Sequence, residues 1–506
     1  MSAFQPLAIT TQDVAEVGDV SPAEASARVE SCDVCVVGAG IAGLNALFVA
    51  SGYLSRDQKV IVIDRRARVG GMWVDTYPYV RLHQPHPMFT AGNIKWTLGK
   101  ERSYLATKGE VLDHFEHCLN VIKQRVRIDE YFGWDMESDE ETEGLARIRC
   151  RSSDGQVLVV EAKRLIKAYG VRVMPNDPLE ISSARVQSVS PDYCDVRSGD
   201  MRDSDTPVWV IGGGKTAMDT AHTLITHYPG REVNLVAGRG TFFTTRDRLF
   251  ATGSRRWWGG VLGAEAAVQM GRRFDGTNET EVSRWYRATY GNFVTPDAAN
   301  FVLGVLSKSE NNTIAAGLND VVMDYLEDAV DSNGSTDLVF RSGSTKTIQP
   351  GSWIVNCTGY LGLDTPPPYE PYVSGSGAVV SVNLRSAVLH LPAFMGYFLT
   401  HLMFLEKARD LPLYEIDWYQ LREKSTVAFP YVLFALVQHN LSVIYDQVPG
   451  RVFSENGLDF DTWYPLPRRL PSMIRFALTH SRERERARRV LDTVRERFDI
   501  RCGPLT

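Results

Sequence analysis

The sequence predicts an α/β fold in which two Rossmann-like dinucleotide-binding domains are nested, the second inserted in the first, with a helical C-terminal region. Three observations carry this expectation. Two stretches share one order of parts, an apolar strand, a glycine-rich turn and an apolar-periodic helix: DVCVVGAGIAGLNALFVASGY (33–53) and PVWVIGGGKTAMDTAHTLITHY (207–228). Each is followed by a second apolar strand, KVIVID (59–64) and REVNLVAGR (231–239), which makes each a βαβ unit with parallel strands. Later, each leads through a hairpin pattern to a strand ending in glycine, RLIKAYG (164–170) and SWIVNCTGY (352–360).

Taken in order, residues 1–30 carry neither a basic start nor an apolar run, so a draped N-terminal arm is expected and a secretory signal is not. The first domain is expected over 31–205 and again over 350–506, interrupted by the second over 206–349. In the first hairpin Ala146, Ile148 and Cys150 alternate with Arg147, Arg149 and Arg151 before Asp154-Gly155 turns the chain, which predicts a pair solvated on one face. The second is DLVFRSGSTKTIQ (337–349), turning at Ser342-Gly343. Pro366, Pro367 and Pro368 mark a loop, after which most of the sequence reads as helix. In the last helix Ala487, Leu491, Val494 and Phe498 form an apolar stripe among arginines and glutamates, which predicts docking by that stripe; contact of a basic amphipathic helix with an anionic membrane or a partner is the alternative.

Composition narrows the function. The 506 residues hold 55 Lys and Arg against 61 Asp and Glu, a formal charge of -6, so no basic field exists to attract nucleic acid. No run of about 18 apolar residues occurs, so no transmembrane segment is expected. The nearest candidate, Val427 to Val437, contains Pro430, meets Gln438-His439-Asn440 and reads as a buried helix. Seven scattered cysteines do not form a disulfide framework and suit a reducing, cytoplasmic setting. Cys32 and Cys35 spell C-x-x-C, but on a regular strand residues three apart point to opposite faces, which disfavours a redox pair.

Gly38, Gly40 and Gly43 give G-x-G-x-x-G between strand and helix. The first glycine makes the turn, the second lets backbone approach a pyrophosphate, and the third lets helix and strand pack closely; the helix N-terminus then holds the phosphates. Asp64 ends the next strand, where a carboxylate accepts hydrogen bonds from ribose hydroxyls. Gly212, Gly214 and Ala217 form a second such motif, G-x-G-x-x-A, with Lys215 and Thr216 at the helix start. A P-loop reading of GGGKT fails because position 209, where that motif needs glycine, is Trp. Arg239 stands just past the following strand, where a guanidinium suits the 2′-phosphate of NADPH, with Arg246 and Arg248 in position to assist. A solvated loop arginine is the alternative.

Gly70-Gly71-Met72-Trp73 follows Asp64 within ten residues, and here the chain resembles the flavin-containing monooxygenase superfamily, which includes Baeyer–Villiger monooxygenases and N-hydroxylases. The resemblance implies FAD at the first motif, with Gly71, Met72 and Trp73 contacting it, and NADPH at the second. It also places Gly359, in Asn356-Cys357-Thr358-Gly359-Tyr360, at the strand end joining the two halves. YPYVRLHQP (77–85) resembles the Y-P-G-x-R-C-D stretch of the Baeyer–Villiger branch, with Arg81 on its arginine and His83 on its aspartate. Arg81, His83 and Gln84 are therefore the expected catalytic residues that tune the flavin. The F-x-G-x-x-x-H fingerprint of that branch is missing, Val189 standing at its histidine. Residues 389–404 resemble a late segment whose helix start faces the flavin ring. The implied activity is NADPH- and O2-dependent monooxygenation, one oxygen atom passing from a C4a-peroxyflavin to a small organic substrate, N- or S-oxygenation being favoured. The alternatives are an FAD/NAD(P)-dependent dehydrogenase or reductase without oxygen insertion, and a non-catalytic FAD-binding redox sensor. No metal site is expected: His83 and His86 lack a third ligand nearby, and His114 and His117 are read as incidental.

Overall fold

A computed structural model describes residues 28–171, 173–359 and 366–505 of the chain. Two parallel sheets organise it, each built outward from a strand that carries a glycine turn. In the first, β1 (Arg28–Val37) lies between β2 (Lys59–Asp64) and β6 (Val157–Lys167), with β3 (Arg127–Phe132) beyond β2. All these pairs are parallel, for example Val34↔Val60, Cys35↔Leu165 and Lys59↔Arg127. The far edge of β6 is shared by β18 (Val379–Ser381), parallel to its end, and β5 (Leu145–Ser152), antiparallel to its start; β4 (Trp134–Thr142) closes the edge. On β5 Ala146, Ile148 and Cys150 are buried while Arg147 is exposed, as a half-solvated hairpin requires.

The second sheet repeats the plan. Its order is β13 (Asp320–Val322), β9 (Val233–Val236), β8 (Val208–Ile211), β17 (Trp353–Asn356) and β7 (Gln187–Val189), all parallel. An antiparallel meander of β14 (Leu326–Ser332), β15 (Ser335–Phe340) and β16 (Thr345–Ile348) precedes β17. Between β9 and β13 a small sheet of β10 (Phe242–Thr245), β11 (Gly291–Phe293) and β12 (Val305–Leu306) is inserted. The second sheet thus recruits β7 and β17, both outside the 206–349 span expected from sequence. A three-residue edge strand leaves too short a pattern to be recognised, and the return strand joins β8 before the chain goes back to the first sheet.

The expectation that Cys32 and Cys35 point to opposite faces is overturned. Both are buried in one apolar cluster with Cys150, Leu158 and Ala162, on the same side of the first sheet. The alternation argument assumes an unbroken pleat, but the β1–β6 ladder skips Asp33, where the faces change over. The Asp33 carboxylate accepts from the Lys59 N–H at 2.9 Å and pairs with Lys163 at 2.8 Å. All seven cysteines are free thiols.

Helices cover the sheets: α1 (Ile41–Ala50) follows β1, α2 (Met72–Asp75) follows β2, α3 (Lys108–Lys123) precedes β3, and α4 (Lys215–His227) follows β8. In the second domain α5 (Gly263–Arg273) and α6 (Lys308–Gly317) are added, and α7 (Pro392–Phe404), α8 (Phe429–Tyr445) and α9 (Leu466–Phe498) make the C-terminal region. Helix α7 crosses α1 backbone to backbone: a Cβ on Gly396 would stand 2.3 Å from the Ala42 carbonyl oxygen. The buried helix expected near residue 430 is α8. The stripe expected on the last helix is buried at Ala487, Leu491 and Val494, joined by Val490, while Phe498 is half-buried. Among the described residues no helix is long and apolar enough to cross a membrane, and no cluster of three metal-ligating side chains occurs.

Asn440 pins α8 to its neighbours. Fully buried, its Oδ1 accepts from the Tyr414 N–H at 2.9 Å, and its Nδ2 donates to the carbonyls of Val388 at 2.6 Å and Tyr414 at 2.7 Å. Asn440→Leu leaves these backbone groups unpaired in the core and is expected to cost about 3–5 kcal/mol. Urea unfolding monitored by circular dichroism would measure it, and a loss below about 1 kcal/mol would mean water replaces the amide.

Candidate cofactor sites and the seam between them

The first site is shaped by backbone too crowded for side chains. Gly38 takes φ +104°, and a Cβ there would lie 2.5 Å from the Ala168 carbonyl oxygen; one on Gly43 would lie 1.8 Å from the Gly38 oxygen. Gly71, at φ +56°, meets Gly40 face to face, so that an added Cβ would sit 2.7 Å from the Gly40 Cα. The G-x-G-x-x-G turn and the Gly70-Gly71 turn are therefore two sides of one cradle, joined by a Gly70 N–H bond to the Ala39 carbonyl at 3.0 Å. Gly40 is the N-cap of α1, without a side-chain cap or an acidic residue in the first turn. The unpaired N–H groups and the positive helix end suit an anion there.

Asp64 ends β2 as expected, but its carboxylate is already occupied by backbone. One oxygen accepts from the Ala39 N–H at 2.6 Å and the other from the Arg66 N–H at 2.8 Å, in a nearly fully buried position. It braces the glycine turn, leaving one lone pair on each oxygen. Trp73 is only 9% exposed and packs into the core against Phe89, ring centres 6.0 Å apart, whereas Met72 is 41% exposed. The indole thus packs against Phe89 while keeping a small exposed edge.

At the second site Gly212 takes φ +128° with the Cys357 carbonyl 2.6 Å from where its Cβ would be, and Gly214 caps α4. Ala217 is fully buried, which explains a small residue in the third position, and Thr216 is also buried rather than turned outward. Lys215 is held in an i,i+4 ion pair with Asp219. Arg239 sits between two glycines of positive φ, Gly238 and Gly240, and is exposed. Its guanidinium has no ion pair or side-chain hydrogen bond among the described residues. Arg246 does not assist it: Nε donates to the His83 carbonyl at 2.6 Å, and Nη1 pairs with Glu310 at 2.7 Å. Arg248 lies 5.6 Å over the Tyr290 ring. Gly359, at φ +42°, lies exposed beyond β17; Tyr360 of the same motif falls outside the described residues.

Residues 77–83 form a seam between the two domains. Tyr77 donates to Asp219 at 2.8 Å, and the Tyr79 and Thr220 hydroxyls bond at 2.7 Å, so two tyrosines of the first domain grip α4 of the second. His83 enters the same seam. Burial pushes its imidazole down to about 3, and the charges of Lys215 and Arg246 act in the same direction. Burial alone would raise the Glu310 carboxyl, but Arg246 and Lys215 outweigh it and bring it to about 2. His222 on α4 is lowered by burial as well. Arg81 is exposed, 5.9 Å over the Tyr104 ring and with a long 3.4 Å bond to the Leu105 carbonyl; Gln84 is half-buried.

Three contributors escape the motif search. Asp219 and Glu310 carry weak local signals, an i+4 carboxylate after Lys215 and the Ser307-x-x-Glu310 capping box. His390 has none: beside α7, it is lowered to about 4 by burial, and its Nδ1 is buried without a partner.

The profile of the pyridine nucleotide-disulphide oxidoreductase family matches residues 32–254. An uncharacterized protein of Mycobacterium tuberculosis is 30% identical over 220 residues, which are 40% of this chain and 38% of that protein. The match therefore spans well under half of the curated relative. Among solved structures, cyclohexanone monooxygenase from Rhodococcus sp. Phi1 is 13% identical over 76% of this chain and 88% of its own, with a TM-score of 0.48. A flavin-containing monooxygenase from Stenotrophomonas maltophilia is 15% identical over 75% of this chain and 99% of its own, at 0.45.

Neutral His83 makes the seam sensitive to acid. Below its unfolded value of 6.5 the unfolded ring takes a proton that the folded ring refuses until about 3, so stability is lost as pH falls through that window. Between about pH 7 and about pH 5, His83→Gln is expected to lose about 2 kcal/mol less than the parent chain. Urea midpoints at the two pH values would show it; equal losses would mean the ring is solvated.

Proposed function

We propose that the chain is an FAD-dependent oxidoreductase that uses NADPH and O2 to oxygenate a small organic molecule. The observation that carries this reading is the pair of glycine cradles, each at an uncapped helix N-terminus and each ending a parallel strand, joined by the Tyr77–His83 seam. The first cradle fits a diphosphate on the atoms at hand: α1 begins at Gly40 with no side-chain cap and no acidic residue in its first turn, and Gly40 and Gly71 bring bare backbone together at that helix end. The second ends beside Arg239, whose unpaired guanidinium suits a 2′-phosphate. The chemistry a bound flavin supplies is hydride acceptance from nicotinamide and activation of oxygen.

The chain's own part is to bind, orient and shield. The Gly38–Gly43 turn and the α1 N-terminus hold one diphosphate, and Gly212–Gly214 with the α4 N-terminus the other. Tyr77 and Tyr79 fix the angle between the two domains. His83 stays neutral at ordinary pH and so offers one donor and one acceptor without adding charge. N- or S-oxygenation is favoured over Baeyer–Villiger chemistry because His83 and Val189 replace the residues that branch carries. The seven free thiols fit a reducing, cytoplasmic setting.

A reductase that passes electrons on without oxygen insertion is the second reading, favoured by the description of the matched family. Substrate-dependent NADPH oxidation with amines, sulfides and ketones under labelled O2 separates the two. Label in the product supports oxygenation; NADPH consumption without label supports the reductase. Gly40→Val is expected to give colourless protein, and a yellow variant would remove FAD from the first cradle. Arg239→Ala is expected to raise the KM for NADPH about 10–100-fold, the worth of a charge-assisted hydrogen bond, with little change for NADH. Equal changes for both nucleotides would remove the 2′-phosphate role.

A further inference from the structure

Helix α9 changes character half-way along. Its C-terminal half is docked through Ala487, Val490, Leu491 and Val494, and Glu483 there pairs with Arg272 of α5 at 2.9 Å. Its N-terminal half leaves an apolar stripe in solvent: Leu466, Leu470, Met473, Ile474 and Leu478, spaced for one helix face, are all exposed, Ile474 by 59% and Leu478 by 79%. From residue 466 to 482 the sequence has Arg468, Arg469, Arg475 and Arg482 and no acidic residue. Arg475 and Arg482 have no side-chain partner among the described residues. Arg482 also lines a cavity of about 610 Å³ in which Arg272, Arg486 and Arg489 are accompanied by Glu483 and Asp275.

A second exposed apolar element is tied to the segment that leads into α9. Trp257 and Trp258 are exposed, Trp258 by 70%. Their loop is fastened to the start of α9 because the preceding Arg256 donates from Nε to the Trp463 carbonyl at 3.1 Å and lies 5.0 Å over the Trp463 ring. Two tryptophans, a leucine-rich stripe and flanking unpaired arginines make the composition of a surface that rests at a membrane interface, aromatic rings at headgroup depth and guanidinium groups on lipid phosphate.

We propose that the N-terminal half of α9 and the Trp257–Trp258 loop seat this protein on an anionic phospholipid bilayer, lying in its surface without crossing it. Charge selects this occupant. A second copy apposed through the same stripe would set the exposed Arg475 and Arg482 of the two copies against one another, a like-charge contact that no acidic residue of the 466–482 segment relieves. An anionic leaflet attracts the same arginines, each worth about a fivefold change in binding.

The test is flotation of the full, flavin-loaded chain with vesicles of phosphatidylglycerol or of phosphatidylcholine. Flotation with the first and not the second is expected, reversed by about 0.5 M salt as screening demands. Ile474→Asp with Leu478→Asp, and separately Trp257→Ala with Trp258→Ala, should each weaken binding at least about tenfold. Their yellow colour and circular dichroism should match the parent, since these side chains are exposed. Absence of flotation, equal flotation with both lipids, or unchanged binding by the Ile474/Leu478 variant would overturn the proposal. So would a dimer in solution that this variant dissociates, because the stripe would then serve a second copy. Binding only by a chain lacking residues 1–27 would overturn it too, in favour of that acidic segment as occupant.

Discussion

The close approach of four glycines, Gly38, Gly40, Gly43 and Gly71, is the constraint on which the rest of this molecule hangs. At each, an added Cβ would stand about 1.8 to 3.3 Å from neighbouring backbone, and at Gly38 and Gly71 the backbone also has positive φ. No rotamer change can relieve contacts of that kind, because the obstructing atoms are main chain. The crowding fixes where α1 starts relative to β1 and β6, and hence where its uncapped N-terminus points. Asp64 completes the arrangement by accepting the Ala39 N–H, so the turn is held from the β2 side as well. A residue expected to recognise a ribose thereby has a structural duty first.

A second constraint lies between the domains. The seam contains Lys215–Asp219 and Arg246–Glu310 together with the hydroxyls of Tyr77 and Tyr79. Buried ion pairs of this sort add little net stability, since desolvation offsets much of the attraction. Their directional demand is strong, because a misplaced partner leaves a charge unpaired in a dry place. The seam is therefore better understood as a register device, setting α4 against residues 77–83, than as a source of folding energy. The low pKa of His83 belongs to the same economy: burial, with Lys215 and Arg246 beside the ring, disfavours its charged form more than Asp219 and Glu310 favour it.

Much of this architecture was legible in the sequence because it is written in local periodicity. Both βαβ units, both hairpins and the buried helix α8 follow from patterns within about twenty residues. What escaped detection depends on longer range. The face change at Asp33 that brings Cys32 and Cys35 together needs knowledge of Lys163, which lies 130 positions away. The strand order that draws β7 and β17 into the second sheet needs the ladder itself. Arg246 misled because its partner Glu310 lies 64 residues on, and a nearby arginine in sequence looks free until the carboxylate is placed.

The last helix shows the same limit in a more instructive form. Its stripe of Ala487, Leu491 and Val494 was readable as a docking face, and it docks. Upstream a second apolar stripe, Leu470, Ile474 and Leu478, runs along a different side of the helix, Leu478 and Ala487 being nine residues apart and so on opposite faces, and its residues face outward. Period alone states which side of a helix is apolar; it cannot state whether protein, lipid or water lies opposite. Charge begins to separate the cases. The docked half mixes Arg with Glu483, Glu485 and Asp492, which pair with arginines of α9 itself or, for Glu483, of α5. The outward half carries arginine and no acid of its own, and among the described residues only its Arg468 reaches a carboxylate, Glu265 of α5. An apolar stripe whose flanking charges are self-compensated can settle against its own protein. One whose flanking charges share a sign keeps an electrostatic demand that only an oppositely charged surface can meet.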